Sequence, residues 1–303
     1  MRVAVTGVSG FIGSAIACQL ASAGHRVTGL VRPTSRRDHV EAFVDRFVIG
    51  SHDDDSCWPA LLEGAECIIH NSIDWTPLRA RPVDLAWHLR TNLDASIRLL
   101  HASAPRQFVF ISTIAVHHDM LPRPKDGSGR CVITEDHPLR PNSVYGAHKA
   151  AIEAFLWAER AGSGRNTCAL RPCGVYGIEP DPADSHGADI VAELRRTGRY
   201  SKPGGGKWVH VADVAAAAVA AVGNDRVAGQ PFNLVDCYAR HADWARLAAE
   251  ELGVRADIDT SSPEQPNNTF DVSAARDLLG VSLDRGHGGI RRHLRELIGT
   301  IGS

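Results

Sequence analysis

Tyr145 and Lys149, four residues apart in the stretch SVYGAHK, have the types and spacing for proton chemistry. At i and i+4 they share one face of a helix. A phenol with an ordinary pKa of about 10 is a poor base at neutral pH. A nearby ammonium, together with an oxidised nicotinamide, would favour the phenolate and bring it toward the working range. The lysine could also hold ribose hydroxyls and fix the dinucleotide beside the phenol. Taken alone, the pair is equally a polar edge on a surface helix. Its place at the head of the run AAIEAFLWAERAG, downstream of a glycine loop, favours chemistry. The third member should be a hydroxyl at the end of the preceding strand. FVFISTIAV supplies Ser112 and Thr113, either able to hold a substrate oxygen for exchange with Tyr145.

The glycine loop is VAVTGVSGFIGSAIACQL, with Gly7, Gly10 and Gly13 between a strand and a helix. Glycine is needed where a turn takes positive φ, where backbone approaches a pyrophosphate and where helix packs on strand. The helix N-terminus then presents free N–H groups to the phosphates. A tight turn chosen only for packing would look the same. An NAD site would place Asp or Glu roughly 20 residues after the loop. Here the second strand ends in Val31 and Arg32, and Arg36 and Arg37 follow. Without that acid and with an arginine at hand, NADP is preferred to NAD. Arg36 and Arg37 also fit an exposed basic loop.

Positioning these groups requires parallel βαβ units. Apolar runs fall at Val3–Val5, Val27–Val31, Phe47–Ile49, Cys67–His70, Gln107–Ser112 and Thr167–Arg171, with helix-like segments near 12–23, 55–63, 84–103 and 145–161. Strands this apolar are buried on both faces of a parallel sheet. Past Pro172, segments rich in Pro, Gly and Asp suggest a second lobe. KWVHVADVAAAAVAAV reads as a strand feeding a helix, QPFNLVD as a returning strand, and 241–253 and 273–300 as helical. The expected fold is α/β, a Rossmann doubly wound parallel sheet with a smaller C-terminal substrate lobe. Residues 1–174 form the dinucleotide-binding domain, with a return segment at about 207–236; 175–206 and 237–303 form the lobe.

A net charge of −2 asks for neither nucleic acid nor an anionic membrane surface. Seven scattered cysteines without a CxxC pair argue against a disulfide framework or a metal site, and suit a reducing cytoplasm. Glycines at 7, 10 and 13 interrupt any signal-peptide core, and no stretch of 18 apolar residues suggests a membrane span.

TGVSGFIGS, IIHNS, TNLDAS, ISTIAV, YGAHK, LRPCGVYG and WVHVADVA occur in one order across residues 1–236, followed by FDVSAARDLLG. In these motifs the chain resembles the extended short-chain dehydrogenases/reductases of the NAD(P)-dependent epimerase/dehydratase group. The resemblance implies catalytic roles for Thr113, Tyr145 and Lys149, and lays Phe11 and Ile12 along the pyrophosphate. It sets Ser51 and His52 near the adenine, where an Asp is usual, and Asn71, Ser72 and Ile73 around the ribose. Asn92 would support the active-site backbone, and Pro172 and Cys173 would lie against the nicotinamide. The Asp53–Asp55 run reads as a helix N-terminus. The chain departs from nucleotide-sugar enzymes at Gly174, where Asn is common, and at Lys207, where Arg is common. His117 and His118 stand where Tyr-Gly is common, either contacting substrate or lying on the surface. The segment 117–141 would cover the substrate together with 175–205.

The shared chemistry is hydride transfer at a carbinol carbon of a small-molecule substrate. Three outcomes remain open: an epimerase acting on a sugar or nucleotide-sugar, an NADPH-dependent reductase of a small ketone or aldehyde, and a catalytically silent NADP-binding protein. STIAV lacks the extra acid/base pair a dehydratase needs. The resemblance also implies a homodimer paired through helices near 84–103 and 145–161.

Overall fold

The computed structural model describes residues 1–117 and 131–302. Seven strands form the central sheet: β1 (Arg2–Thr6), β2 (Arg26–Val31), β3 (Arg46–Ile49), β4 (Cys67–His70), β5 (Gln107–Ile111), β6 (Thr167–Pro172) and β7 (Pro231–Leu234). Their spatial order is β7-β6-β5-β4-β1-β2-β3, every neighbouring pair parallel. The order reverses beside β1, so a crevice opens at the carboxyl ends of β1 and β4, where such sheets bind ligands.

Helix α1 (Phe11–Ser22) and the helix Val211–Ala221 pack together on one face. Their alanines allow close approach around Val5, Ile16, Leu20, Val214 and Ala218. Helix α2 (Ala95–Ala102) and helix α3 (Val144–Ser163) lie on the side of the second core cluster, built around Leu61, Ile68, Leu99, Phe108, Phe110 and Ile152. This is the doubly wound Rossmann arrangement expected from the apolar runs. The strands match those runs to within a residue or so at each end.

A third cluster, around Tyr176, Leu194, Trp208, Trp244 and Leu294, lies apart from the main sheet; of the expected return segment 207–236, only Pro231–Leu234 joins that sheet, while Trp208 packs in this cluster. There the strand Gly205–His210 pairs with Gly174–Tyr176 and Cys237–Arg240, forming a sheet separate from the main one. The expected helix over 273–300 is two helices, Ser273–Leu279 and Gly286–Ile301. Gly280, at φ +67°, ends the first in the left-handed conformation that glycine tolerates. No helix among the described residues is long and apolar enough to cross a membrane.

Candidate active site

The N-terminus of α1 is shaped by absent side chains. Gly7 turns at φ +66°, and Gly10 starts the helix without offering a side chain to the first N–H groups. A Cβ at Gly13 would stand 2.0 Å from the Gly7 carbonyl oxygen, so helix and loop touch backbone to backbone. At Gly7 an added Cβ would meet Ser72 Oγ at 3.2 Å. Phe11 lies beside Gly177, whose own Cβ would sit 3.3 Å from the Phe11 ring. His39, which sequence reasoning passed over, donates from Nε2 to the Ser9 carbonyl at 3.0 Å and braces the loop.

A hydrogen-bond chain ties this loop to the next. The Thr6 hydroxyl accepts the backbone N–H groups of Asn71 (3.0 Å) and Ser72 (3.1 Å) and lies 2.8 Å from His70 Nδ1. Ser96 Oγ donates to the Asn92 carbonyl, so it must accept from His70 Nε2–H at 2.8 Å. His70 is therefore a neutral tautomer, its pKa far below the usual histidine value because it is fully buried. Asn92 then clamps the backbone of Asp74, accepting its N–H at 2.7 Å and donating to its carbonyl at 2.9 Å. A π-helical turn, Leu89–Asp94, presents Asn92 at this point. The half-buried segment Asn71–Ile73 is thereby held over the carboxyl end of β4.

Beyond β3, Ser51 is half-buried, and His52 is buried with its Nε2 lacking a hydrogen-bond partner among the described residues. Asp54 caps the short turn Asp55–Cys57 by accepting the Ser56 N–H. Arg32 projects exposed from the end of β2 with no ion pair among the described residues, whereas Arg36 pairs with Asp38 at 3.0 Å. A glycine cradle, an uncapped helix N-terminus and an orphaned buried ring nitrogen suit a dinucleotide. Gly7, Gly10 and Gly13 would hold its pyrophosphate.

At the head of α3, Ser143 accepts the Gly146 N–H and starts the helix. Gly146 fits because a Cβ there would stand 2.6 Å from the Ala115 carbonyl. This draws Tyr145 to the end of β5, where the Thr113 hydroxyl is hydrogen-bonded to its phenol. Lys149 is buried behind it. Its Nζ donates to the Ile111 carbonyl at 2.7 Å and lies 6.0 Å from the Tyr145 ring centre. Burial pulls the ammonium down to about 7, against an opposing pull from Glu153. The phenol, expected to be lowered by Lys149, is instead raised by burial, with the Thr113 bond opposing that shift. One of the ammonium's three N–H groups is taken by the Ile111 carbonyl, and the net push on the phenol is upward, so the protein's own groups favour the neutral phenol.

Ser112 is not free for substrate: its hydroxyl donates to buried Glu153. Glu153 also takes a forked pair from Arg171, Nε at 3.1 Å to each oxygen and Nη2 at 2.6 Å. Arg171 Nη1 reaches His117 Nε2 at 2.9 Å and the Glu135 carbonyl at 3.1 Å. Since the Pro138 carbonyl can only accept, His117 carries its proton on Nδ1 and accepts from Arg171 through Nε2. His117 is thus neither at the surface nor open to substrate, and burial beside Arg171 depresses it to about 4. His118 and most of the expected cover, 118–130, lie outside the described residues.

Pro172 is buried at the end of β6. The Cys173 thiol is pushed well up by burial, which argues against a nucleophile. Gly174 has no room for a side chain, because a Cβ would fall 2.9 Å from the Lys207 carbonyl and from the Trp208 ring. Lys207 is committed elsewhere, its Nζ bonded to Asn268 Oδ1 at 2.6 Å. Trp75, also missed in the sequence, lays its ring 5.0 Å from that of Tyr145 at a tilt of 32°.

The family model described as "NAD dependent epimerase/dehydratase family" matches residues 3–234. A 4-hydroxy-2-methyl-3-oxo-4-farnesyl-3,4-dihydroquinoline-1-oxide ketoreductase of Stigmatella aurantiaca is 26% identical over 294 residues, covering 94% of this chain and 81% of that protein. UDP-glucose 4-epimerase of Mycolicibacterium smegmatis is 29% identical over 305 residues, covering 92% of this chain and 93% of that one. The structure of UDP-glucuronic acid 4-epimerase from Bacillus cereus, in complex with UDP-glucuronic acid and NAD, superposes with a TM-score of 0.78 at 20% identity. It covers 99% of this chain and 100% of that one, a likeness of fold. A family match running from β1 to β7, over a sheet and crevice of this form, establishes kinship. The chain belongs to the NAD dependent epimerase/dehydratase family.

Proposed function

We propose that the protein moves hydride to and from a secondary alcohol or ketone carbon, with Tyr145 as general acid/base. The observation that carries this reading is that Tyr145 opens α3 at the end of β5, with buried Lys149, bonded to the Ile111 carbonyl, 6.0 Å from its ring centre. When bound, the nicotinamide supplies or accepts the hydride. Thr113 Oγ1 and the Tyr145 phenol converge on one point, where they would hold the substrate oxygen. A phenol raised by burial remains protonated at neutral pH, which suits it to give a proton to the oxygen of a carbonyl undergoing reduction. Lys149, 6.0 Å from the ring centre and close to half-protonated at about pH 7, is the group that would replenish that proton. The roles given above to Gly7, Gly10, Gly13, Ser72, Asn92 and the other cofactor residues belong to this proposal.

Net reduction is the favoured outcome, because Gly174 leaves no space for the side chain that would read a sugar-nucleotide. Nucleotide-sugar epimerisation is the second reading, supported by the 29% identity with a UDP-glucose 4-epimerase. Cofactor accounting separates them. With NADPH and candidate carbonyls, a reductase consumes the near-ultraviolet absorbance of the reduced cofactor in proportion to product. An epimerase forms product without net loss.

NADP is preferred in this reading, since Arg32, exposed at the end of β2, has no ion pair among the described residues. Arg32→Ala is expected to weaken NADPH about tenfold, of the order of one charge-assisted contact, and NADH little. Equal loss for both in a binding titration would remove Arg32 from the phosphate site. Exposed Leu85, Leu89 and Phe155 support a homodimer paired through the helices of 85–102 and α3, which sedimentation velocity would test.

A further inference from the structure

A cleft of about 510 Å³ opens between residues 75–83 and the head of α3, with Tyr145 in its wall. Its other lining residues are Trp75, Leu78, Arg79, Val83, Ser143 and Val144. The volume lies in the range that takes drug-sized ligands. We propose that this cleft is the substrate site and that it takes a flat, apolar ketone, aromatic or polycyclic, carrying at most one negative charge. The inference rests on the reading of Tyr145 as proton donor and adds the substrate class.

Three observations carry it. Trp75 is 41% exposed although its ring meets that of Tyr145, so an indole face stands open to the cleft. An exposed tryptophan beside exposed Val83 is a contiguous apolar surface of the kind that marks a ligand or partner site. Continuity with the reactive phenol selects a ligand that reacts there. Leu78 and Val83 on one side and Val144 on the other make the walls largely hydrocarbon, which rewards a planar apolar body stacked on the indole. Finally, Arg79 is the single cation in the lining, exposed and without an ion pair among the described residues. One guanidinium can meet one carboxylate or phenolate. A sugar-nucleotide diphosphate would carry about two charges into a cleft whose lining offers no second cation among the described residues.

The asymmetry of the cleft assigns each end a role. Tyr145 and Thr113 take the carbonyl oxygen, Trp75 covers the ring system, and Arg79 stands at the rim for an acidic substituent. The segment is held in place by the Asn92 clamp on Asp74 and by Asp74 accepting the Thr76 N–H at 2.9 Å. Trp75 is therefore a specificity-determining residue, and its exposure means that it can be changed without opening the core.

The test compares 2-acetylnaphthalene with 2-butanone in wild type, Trp75→Ala and Leu78→Asp. Turnover is measured with NADPH, and binding of the aryl probe by isothermal titration. The wild type should prefer the aryl ketone by about tenfold or more in kcat/KM. Both variants should erase most of that preference and weaken aryl binding about tenfold, the worth of one lost stacking contact. Reduction of both ketones without preference, or a preference untouched by either variant, would overturn the substrate class while leaving Tyr145 catalysis standing. Tight, Trp75-dependent binding of the aryl probe without reduction would support the cleft and overturn the reductase reading instead. Failure to bind the probe, alongside UDP-glucose epimerisation, would overturn both.

Discussion

At the head of α1 the protein builds half of its site from backbone, whereas beneath Tyr145 it builds the other half from buried charge. In the first region Gly7, Gly10 and Gly13 remove side chains so that loop, helix and the Ser72 backbone can touch. In the second, Ser112, Glu153, Arg171 and His117 form an unbroken set of bonds beneath the catalytic strand ends. A backbone cradle tolerates no added atom. A charge network tolerates no removed partner, since each ion is kept inside only by the others.

The comparison can be broken from either side, and the charge network should respond most. Glu153→Ala leaves Arg171 buried without its carboxylate and is expected to destabilise by about 3–5 kcal/mol in urea unfolding. Glu153→Ala with Arg171→Met should recover much of that loss, because the stranded charge goes too. If the single variant unfolds at wild-type urea concentrations, the network does not carry the floor of the site.

Gly13→Ala comes next. Its Cβ cannot remain 2.0 Å from the Gly7 oxygen, so α1 must shift, costing about 1–3 kcal/mol as other overpacked contacts do. Dinucleotide affinity, read by titration, should fall at least about tenfold. Wild-type affinity would mean that the cradle is not where the pyrophosphate rests.

The smallest effect is on pH dependence. Folding lowers Lys149 from 10.5 to about 7, so between those values the unfolded chain binds more protons than the folded one. The unfavourable term is full below about pH 7 and fades as pH rises, so stability of the cofactor-free protein should climb. From pH 7 to 8.5, short of ordinary thiol titration, the gain should be on the order of 1 kcal/mol per pH unit. In Lys149→Met this part of the slope should vanish. Identical slopes would mean that the ammonium is not desolvated.

The two regions also differ in how far they could be read from the chain. The cradle is local: three glycines at fixed spacing after an apolar strand express a steric need within one βα unit. Tyr145 and Lys149 are likewise one helical turn apart, and Ser143 ahead of them is a cap by residue type. The strands were readable because both their faces are apolar. Glu153 and Arg171 could not be matched in advance, being 18 positions apart on different elements. An ionic pair in an otherwise apolar stretch leaves no periodic mark. His117 could be read only as a substrate contact or a surface residue because its partners, Arg171 and the Pro138 carbonyl, come from distant segments. Trp75 lay in an irregular loop whose position depends on Asn92, which sequence spacing does not express. The unequal treatment of Ser112 and Thr113 is likewise tertiary, because buried Glu153 takes the Ser112 hydroxyl and leaves that of Thr113.

The proposed function converges on the phenol of Tyr145, and the most direct test removes only its oxygen. Steady-state reduction by Tyr145→Phe, measured beside nicotinamide-cofactor binding, should show turnover lower by about 10²–10⁴-fold with cofactor affinity nearly unchanged. Turnover within a factor of about two of wild type would contradict a proton-transferring role for this residue.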